Sequence, residues 1–192
     1  MSETARPRFC RGWYACARRA DSPNFGPRPE GEEVSLVVIH NISLPPGDFS
    51  GHSVEDFFHN RLNAKAHPYF ETIQDLQVSS HFFIRRDGEL VQFVSVAERA
   101  WHAGASVWDG RGNCNDYSVG VELEGTDDQA FTPAQYAALW PLLEGLCSDW
   151  PIRAIVGHSD IAPGRKTDPG AHFDWAAVRS RFPLLALAEK PA

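Results

Sequence analysis

The chain has no apolar run approaching the ~20 residues that a membrane-spanning helix needs. It has no C-x-x-C pair either. Cys10, Cys16, Cys114 and Cys147 stand apart, so neither a thiolate zinc ribbon nor a thioredoxin-like redox motif can be built from them. Positive charge is also short: 18 Lys and Arg against 25 Asp and Glu give a formal net charge of −7. Nucleic-acid partners call for a basic face, so this balance argues against them. The N-terminus lacks the uninterrupted apolar core of a secretory signal, which predicts a cytoplasmic protein whose cysteines are reduced and structural. Repeats, low-complexity tracts and long linkers are missing too.

The length, 192 residues, suits one domain that can bury most of its apolar surface without disulfides. The first thirty residues depart from the overall charge, with six arginines against three acids, and are broken by Pro7, Gly12, Pro23 and Pro27. They read as an arm, residues 1–30, wrapped on a domain at 31–185, rather than as an anion-binding patch.

Within the domain, Val34 to Ile39 is a nearly continuous apolar run, as expected of a strand covered on both faces. Ser53-Val54-Glu55-Asp56 has N-cap spacing, and the helical period of Val54, Phe57, Phe58 and Leu62 predicts a helix over about 54–63. Asp87-Gly88, set between two β-rich runs in 80–94, predicts a hairpin. From Tyr117 to Gly125 the period is two, with Val119, Val121 and Leu123 on one face and Gly120, Glu122 and Glu124 on the other. Thr132-Pro133 opens a long amphipathic helix. A strand at 152–156 and a helix at 174–181 follow. The expected fold is α/β (α+β): a mixed central sheet flanked by helices, with strands either side of the long helix parallel.

Chemistry is concentrated in Gly157 to Gly170, a loop leaving the end of a buried strand and carrying His158, Asp160, Lys166 and Asp168. Ligands sit at such strand ends in open sheets. His40 ends an apolar run in the same way, and Glu122 approaches the same edge. A catalytic zinc site needs three protein ligands from separate segments and an open position, and His40, His158 and Asp168 can supply them. The competing metal reading takes His158 and Asp160 as an H-x-D pair completed by His172, but such iron sites normally sit in all-β barrels. A buried strand carboxylate at Glu122 suits a general base. Alternation alone does not separate it from Glu124, although Glu124, beside Gly125, is expected to be the more solvated. His52, His59, His67 and His172 read as surface residues, and His81 and His102 as packing in a pocket wall. A lysine in a polar loop, such as Lys166, is ordinarily solvated.

Five segments in order, Val38 to Gly47, Ser80 to Gly88, Ala100 to Gly104, Ser118 to Gly125 and Gly157 to Gly170, resemble the zinc-dependent N-acetylmuramoyl-L-alanine amidases. More narrowly, they resemble the branch that acts on 1,6-anhydro-N-acetylmuramyl peptides in cell-wall recycling. The similarity covers roughly residues 12 to 182. It implies a soluble cytoplasmic enzyme with zinc on His40, His158 and Asp168, Glu122 as catalytic carboxylate and Lys166 as oxyanion partner. Asp168 fits this branch, because phage lysozyme and peptidoglycan-recognition relatives carry cysteine there. Asn41, Trp101 and Arg111 are expected substrate contacts, Arg111 standing in for an arginine that some relatives carry where this chain has Asn113. The expected partner is a small muropeptide, with no nucleic acid, membrane or obligate protein. Two alternatives are a muropeptide sensor that binds without cutting and a general muramyl amidase indifferent to the anhydro sugar.

Overall fold

The computed structural model describes residues 9–187, so the first eight residues of the arm lie outside the described residues. Six strands form the central sheet: β1 (Arg18–Arg19), β2 (Leu36–Ile42), β3 (Phe82–Ile84), β4 (Leu90–Gln92), β5 (Ser118–Glu124) and β6 (Ala154–Gly157), in the spatial order β6-β2-β5-β3-β4-β1. β2 runs parallel to both β5 and β6, β5 is parallel to β3, and β3 and β4 form the antiparallel Asp87-Gly88 hairpin. The strands either side of the long helix are thus parallel, with β2 between them. The sheet is mixed, as expected.

Helices cover both faces. On one, α3 (Pro133–Asp149) and α5 (Trp175–Arg181) pack Leu139, Leu142, Leu143, Leu146 and Val178 against Val37, Ile39, Val119, Val121 and Leu123. On the other lie α1 (Ser53–Phe58), α2 (Pro68–Glu71) and α4 (His158–Ile161), against Phe83, Val91, Leu36, Val38 and Val156. Period-two alternation in β5 therefore sends its valines and Leu123 to the α3 side and Ser118, Gly120 and Glu122 to the opposite side, where the chemistry gathers. α3 starts at a complete capping box: Gln135 N–H donates to Thr132 Oγ1 at 3.1 Å, and Thr132 N–H donates to Gln135 Oε1 at 3.0 Å. A cap of this kind contributes about 1 kcal/mol.

Two expected elements differ. The helix predicted over 54–63 stops at Phe58, because Asn60 adopts a left-handed φ of 59° that ends the helical path. Its N-cap position is His52, not Ser53, and makes no side-chain cap. The segment after β6 is not loop throughout: His158–Ile161 forms a helical turn, with Asp160 Oδ2 accepting the Gly157 N–H at 2.6 Å.

The arm is tied to the sheet. Arg18–Arg19 pairs in parallel with Val91 and Gln92. The Gln92 side chain accepts from Tyr14 N–H and donates to the Gly12 carbonyl. The guanidinium of Arg28 donates to the carbonyls of Val96, Asn115, Asp116 and Ser118 at 2.9–3.2 Å. Among the described residues, no helix is long and apolar enough to cross a membrane.

Candidate active site

Strand register builds the site. Glu122 on β5 pairs with His40 on β2, and Ile39, one residue earlier, pairs with Gly157 at the end of β6. His158 follows Gly157 immediately, so Glu122, His40 and His158 fall in one row across three neighbouring parallel strands. Asp168 joins them because its loop returns to α4: its carbonyl accepts Ser159 N–H at 2.9 Å. Further along, Gly170, at φ 83°, packs so closely on the backbone of Asp127 that a Cβ there would overlap it.

His40 Nδ1, His158 Nδ1 and Asp168 Oδ2 form a triangle with sides of 3.0, 3.1 and 3.1 Å. His40 is 2% exposed and His158 4%. The Ala103 carbonyl, 3.2 Å from His158 Nε2, can only accept, so neutral His158 carries its proton on Nε2 and turns the Nδ1 lone pair inward. Burial, reinforced by His158, pushes the His40 imidazole down to about 4, which leaves it neutral at physiological pH. Burial alone would raise the Asp168 carboxyl, but the flanking His158 and His40 imidazoles hold it below the usual carboxylate range. Two imidazoles and a carboxylate converging in this way fit a divalent cation, since they supply borderline and hard donors with one negative charge.

Glu122 sits beside the triangle, with Oε1 4.0 Å from His40 Nδ1. It is 7% exposed, and its Oε2 is buried with no hydrogen-bond partner among the described residues. Burial, followed by the like charge of Asp168, raises its carboxyl well above the usual range, and Lys166 opposes the rise. The four groups open into a cleft of about 580 Å³. Its walls carry apolar side chains, Leu44, Phe57, Tyr69, Ile73 and Leu76, and polar ones, Asn41, Asp127, Arg165, Lys166 and Thr167.

Residues 30–171 match the N-acetylmuramoyl-L-alanine amidase family. The chain belongs to that amidase family. It is 52% identical over 171 residues to the 1,6-anhydro-N-acetylmuramyl-L-alanine amidase AmpD of Citrobacter freundii, covering 88% of this chain and 91% of the relative. A crystal structure of a Se-Met AmpD derivative superposes with a TM-score of 0.88 at 51% identity, covering 90% of this chain and 98% of that one. The Escherichia coli amidase AmiD, solved with the substrate anhydro-N-acetylmuramic acid-L-Ala-D-gamma-Glu-L-Lys, matches with a TM-score of 0.60 at 28% identity over 94% of this chain and 67% of that one.

In this amidase fold most of the expected site residues meet. His40, Asn41, Trp101, Glu122, His158, Lys166 and Asp168 all line the cleft. Arg111 does not: its guanidinium stacks 3.8 Å over the Tyr117 ring and pairs with Glu32. Glu124 is not the more solvated acid. It is 4% exposed, and its Oε2 accepts Arg86 N–H at 2.9 Å. The H-x-D alternative also loses its members, since Asp160 caps Gly157 and His172 is exposed.

Three residues of the cleft carry more than the sequence reading assigned them. Asp127 accepts from Asn41 Nδ2 at 2.7 Å and from Thr167 Oγ1, linking the end of β2 to the Asp168 loop. Arg165 donates to the carbonyls of Ala103 and Ala105, which steadies the carbonyl that orients His158. His102 touches His40 directly, Nδ1 to Nε2, at 2.9 Å. Nothing in periodicity marks Asp127. His102, beside Trp101 in a glycine-containing loop, was visible as a histidine but not as a contact.

Proposed function

We propose that this chain hydrolyses the amide between the lactyl group of 1,6-anhydro-N-acetylmuramic acid and the L-alanine of a stem peptide, during cytoplasmic recycling of wall fragments. His40, His158 and Asp168 would hold a zinc ion, each offering one donor atom to the triangle. The observation that carries this reading is the buried triangle of three donors with the unpaired Glu122 carboxylate oxygen beside it. The substrate is supported by relatives about half identical to this chain, which are 1,6-anhydro-N-acetylmuramyl-L-alanine amidases.

Bound zinc supplies Lewis acidity, lowering the pKa of water towards about 7 and polarising a carbonyl. Glu122, whose burial favours the protonated form once a proton arrives, takes a proton from the attacking water and passes it to the departing alanine nitrogen. One carboxylate can make both transfers because it lines the cleft beside the donor triangle and its Oε2 carries no competing hydrogen bond. The ammonium of Lys166, which also lines the cleft, stabilises negative charge developing on the lactyl oxygen, a contact of a kind contributing about 3 to 4 kcal/mol. Asn41 and Trp101, which line the same cleft, contact the substrate.

The test is release of free peptide from a 1,6-anhydro-N-acetylmuramyl peptide by the zinc-loaded chain, followed by chromatography. Tight binding of that substrate without peptide release would make the chain a sensor and overturn the proposal.

A further inference from the structure

The reaction above leaves the imidazole of His102 without a task, although both of its nitrogens have partners in the site's own wall. Nδ1 lies 2.9 Å from His40 Nε2, and Nε2 lies 3.2 Å from Ser118 Oγ. The two rings meet edge to face, at 85° with centroids 5.0 Å apart. The fold makes room for this ring. A Cβ on Gly120, between Ser118 and Glu122 on the same strand face, would stand 2.5 Å from His102 Cγ and 2.7 Å from Cδ2. The main chain is fixed as well, since the N–H groups of His102 and Ala103 both donate to Asn115 Oδ1. Alternate residues of β5 thus anchor His102 at Ser118, admit its ring at Gly120 and present Glu122.

His40 has two neutral tautomers, and they differ in what Nδ1 offers. With the proton on Nδ1, the ring would donate to the Asp168 carboxylate 3.1 Å away, a charge-assisted hydrogen bond that consumes the lone pair facing His158. With the proton on Nε2, that lone pair is free, but a buried N–H then needs an acceptor, and leaving it unmade costs about 1 to 3 kcal/mol. His158 meets this need with the Ala103 carbonyl. At His40 the atom in that position is His102 Nδ1.

We propose that His102 is a positioning residue. It accepts the Nε2–H of His40 at Nδ1 and donates its own Nε2–H to Ser118 Oγ. This holds His40 in the tautomer whose Nδ1 lone pair faces Asp168 and His158. The proposal rests on the metal reading of the triangle, and orienting a ligand imidazole by an outer hydrogen bond is the general device by which such ligands are tuned.

The experiment measures zinc dissociation constants by competition with a fluorescent chelator, for the wild-type chain, His102→Phe and His102→Asn. Circular dichroism of each metal-free protein reports the fold. Phe fills the space and removes the acceptor, so affinity falls about 10- to 100-fold, the usual range for loss of an outer partner. Asn offers Oδ1 near the position of Nδ1 and recovers most of that loss, which filling space alone would not do. A folded His102→Phe that binds zinc like the wild type overturns the proposal. Long-range ¹H–¹⁵N spectra of the zinc-loaded wild-type chain test it without any substitution: a proton on His40 Nε2 and none on His102 Nδ1 supports it, and a proton on His102 Nδ1 overturns it. Failure of the wild type to bind zinc would remove the metal reading itself, a result distinct from all of these.

Discussion

Glu122 and His40 are register partners on adjacent parallel strands, and their side chains approach to 4.0 Å while Glu124, two residues on, turns to the backbone of Arg86. One strand face therefore presents two buried carboxylates with different partners, and the difference predicts different phenotypes. Glu122→Gln should keep zinc and substrate affinity and lose 10²-fold or more in kcat, the scale of general acid–base catalysis. Glu124→Gln should keep kcat within a few-fold and act mainly on stability, by about 1 kcal/mol. Steady-state kinetics and urea melts on both variants separate these effects. Equal kcat losses would mean that Glu122 is not the base.

The donor triangle predicts a metal phenotype. The purified chain should carry one zinc and lose activity with a chelator. Asp168→Ala removes the only anionic donor of the three and leaves two neutral imidazoles, so tight binding should disappear. Full zinc occupancy in that variant, measured by plasma emission spectrometry, would show that the ligand set is different.

Acid should destabilise the fold through His81. Its Nδ1 accepts Gly120 N–H at 3.1 Å, and its Nε2 donates to the Glu98 carbonyl at 3.0 Å, so a second ring proton would face a backbone donor. Burial, reinforced by the neighbouring Arg28 charge, pushes this imidazole down to about 3 from an ordinary 6.5. Between those values the unfolded chain binds the proton and the folded chain does not. The contribution is therefore complete above pH 6.5 and is lost as pH falls, at up to about 1.4 kcal/mol per pH unit. Urea melts at pH 7, 6 and 5 should show the decline, while the His81 ring resonances stay unshifted. A ring that titrates near 6.5 in the folded protein would remove this account.

The row that makes the site was legible because it depends on short-range signals. Apolar runs gave β2 and β6, alternation gave β5, and the strand ends then had to share an edge. What could not be read depends on contacts between distant segments. Glu124 looked solvated beside Gly125 because its partner Arg86 lies 38 residues away, across the hairpin. Arg111 looked like a substrate contact until the fold placed it over Tyr117. His102 looked like wall packing because nothing local indicates that Nδ1 meets His40, 62 residues earlier. Asn60 ended a helix whose apolar period ran on to Leu62, since a single left-handed residue outweighs one more turn of amphipathic pattern.

Arg28 should matter more to stability than its place in a proline-broken arm suggests. It satisfies four backbone carbonyls, including that of Ser118 beneath His102. Arg28→Ala leaves several of them without a donor, so a loss of at least about 2 kcal/mol is expected. Arg19→Ala removes an exposed pair with Asp21 and a cation–π contact with Trp13. Its cost should be about 1 kcal/mol or less. Similar melting temperatures for the two variants would show that the arm is merely laid on the surface.

The final prediction concerns the sugar. A 1,6-anhydro bridge ties up the oxygens on C1 and C6, so the reducing sugar carries two extra hydroxyls, together equivalent to one water. Leu44, Phe57, Tyr69, Ile73 and Leu76 give the cleft apolar surface with few groups to receive those hydroxyls. An apolar surface rejects an added hydroxyl only moderately, by up to about 10²-fold. The kcat/KM for a 1,6-anhydro-N-acetylmuramyl peptide should accordingly exceed that for the same peptide on reducing N-acetylmuramic acid by about 10- to 100-fold. The comparison requires an identical stem peptide, so that contacts to the peptide cancel. Equal values would make the chain a general muramyl amidase, and would mean that the apolar surface contacts the peptide and not the sugar.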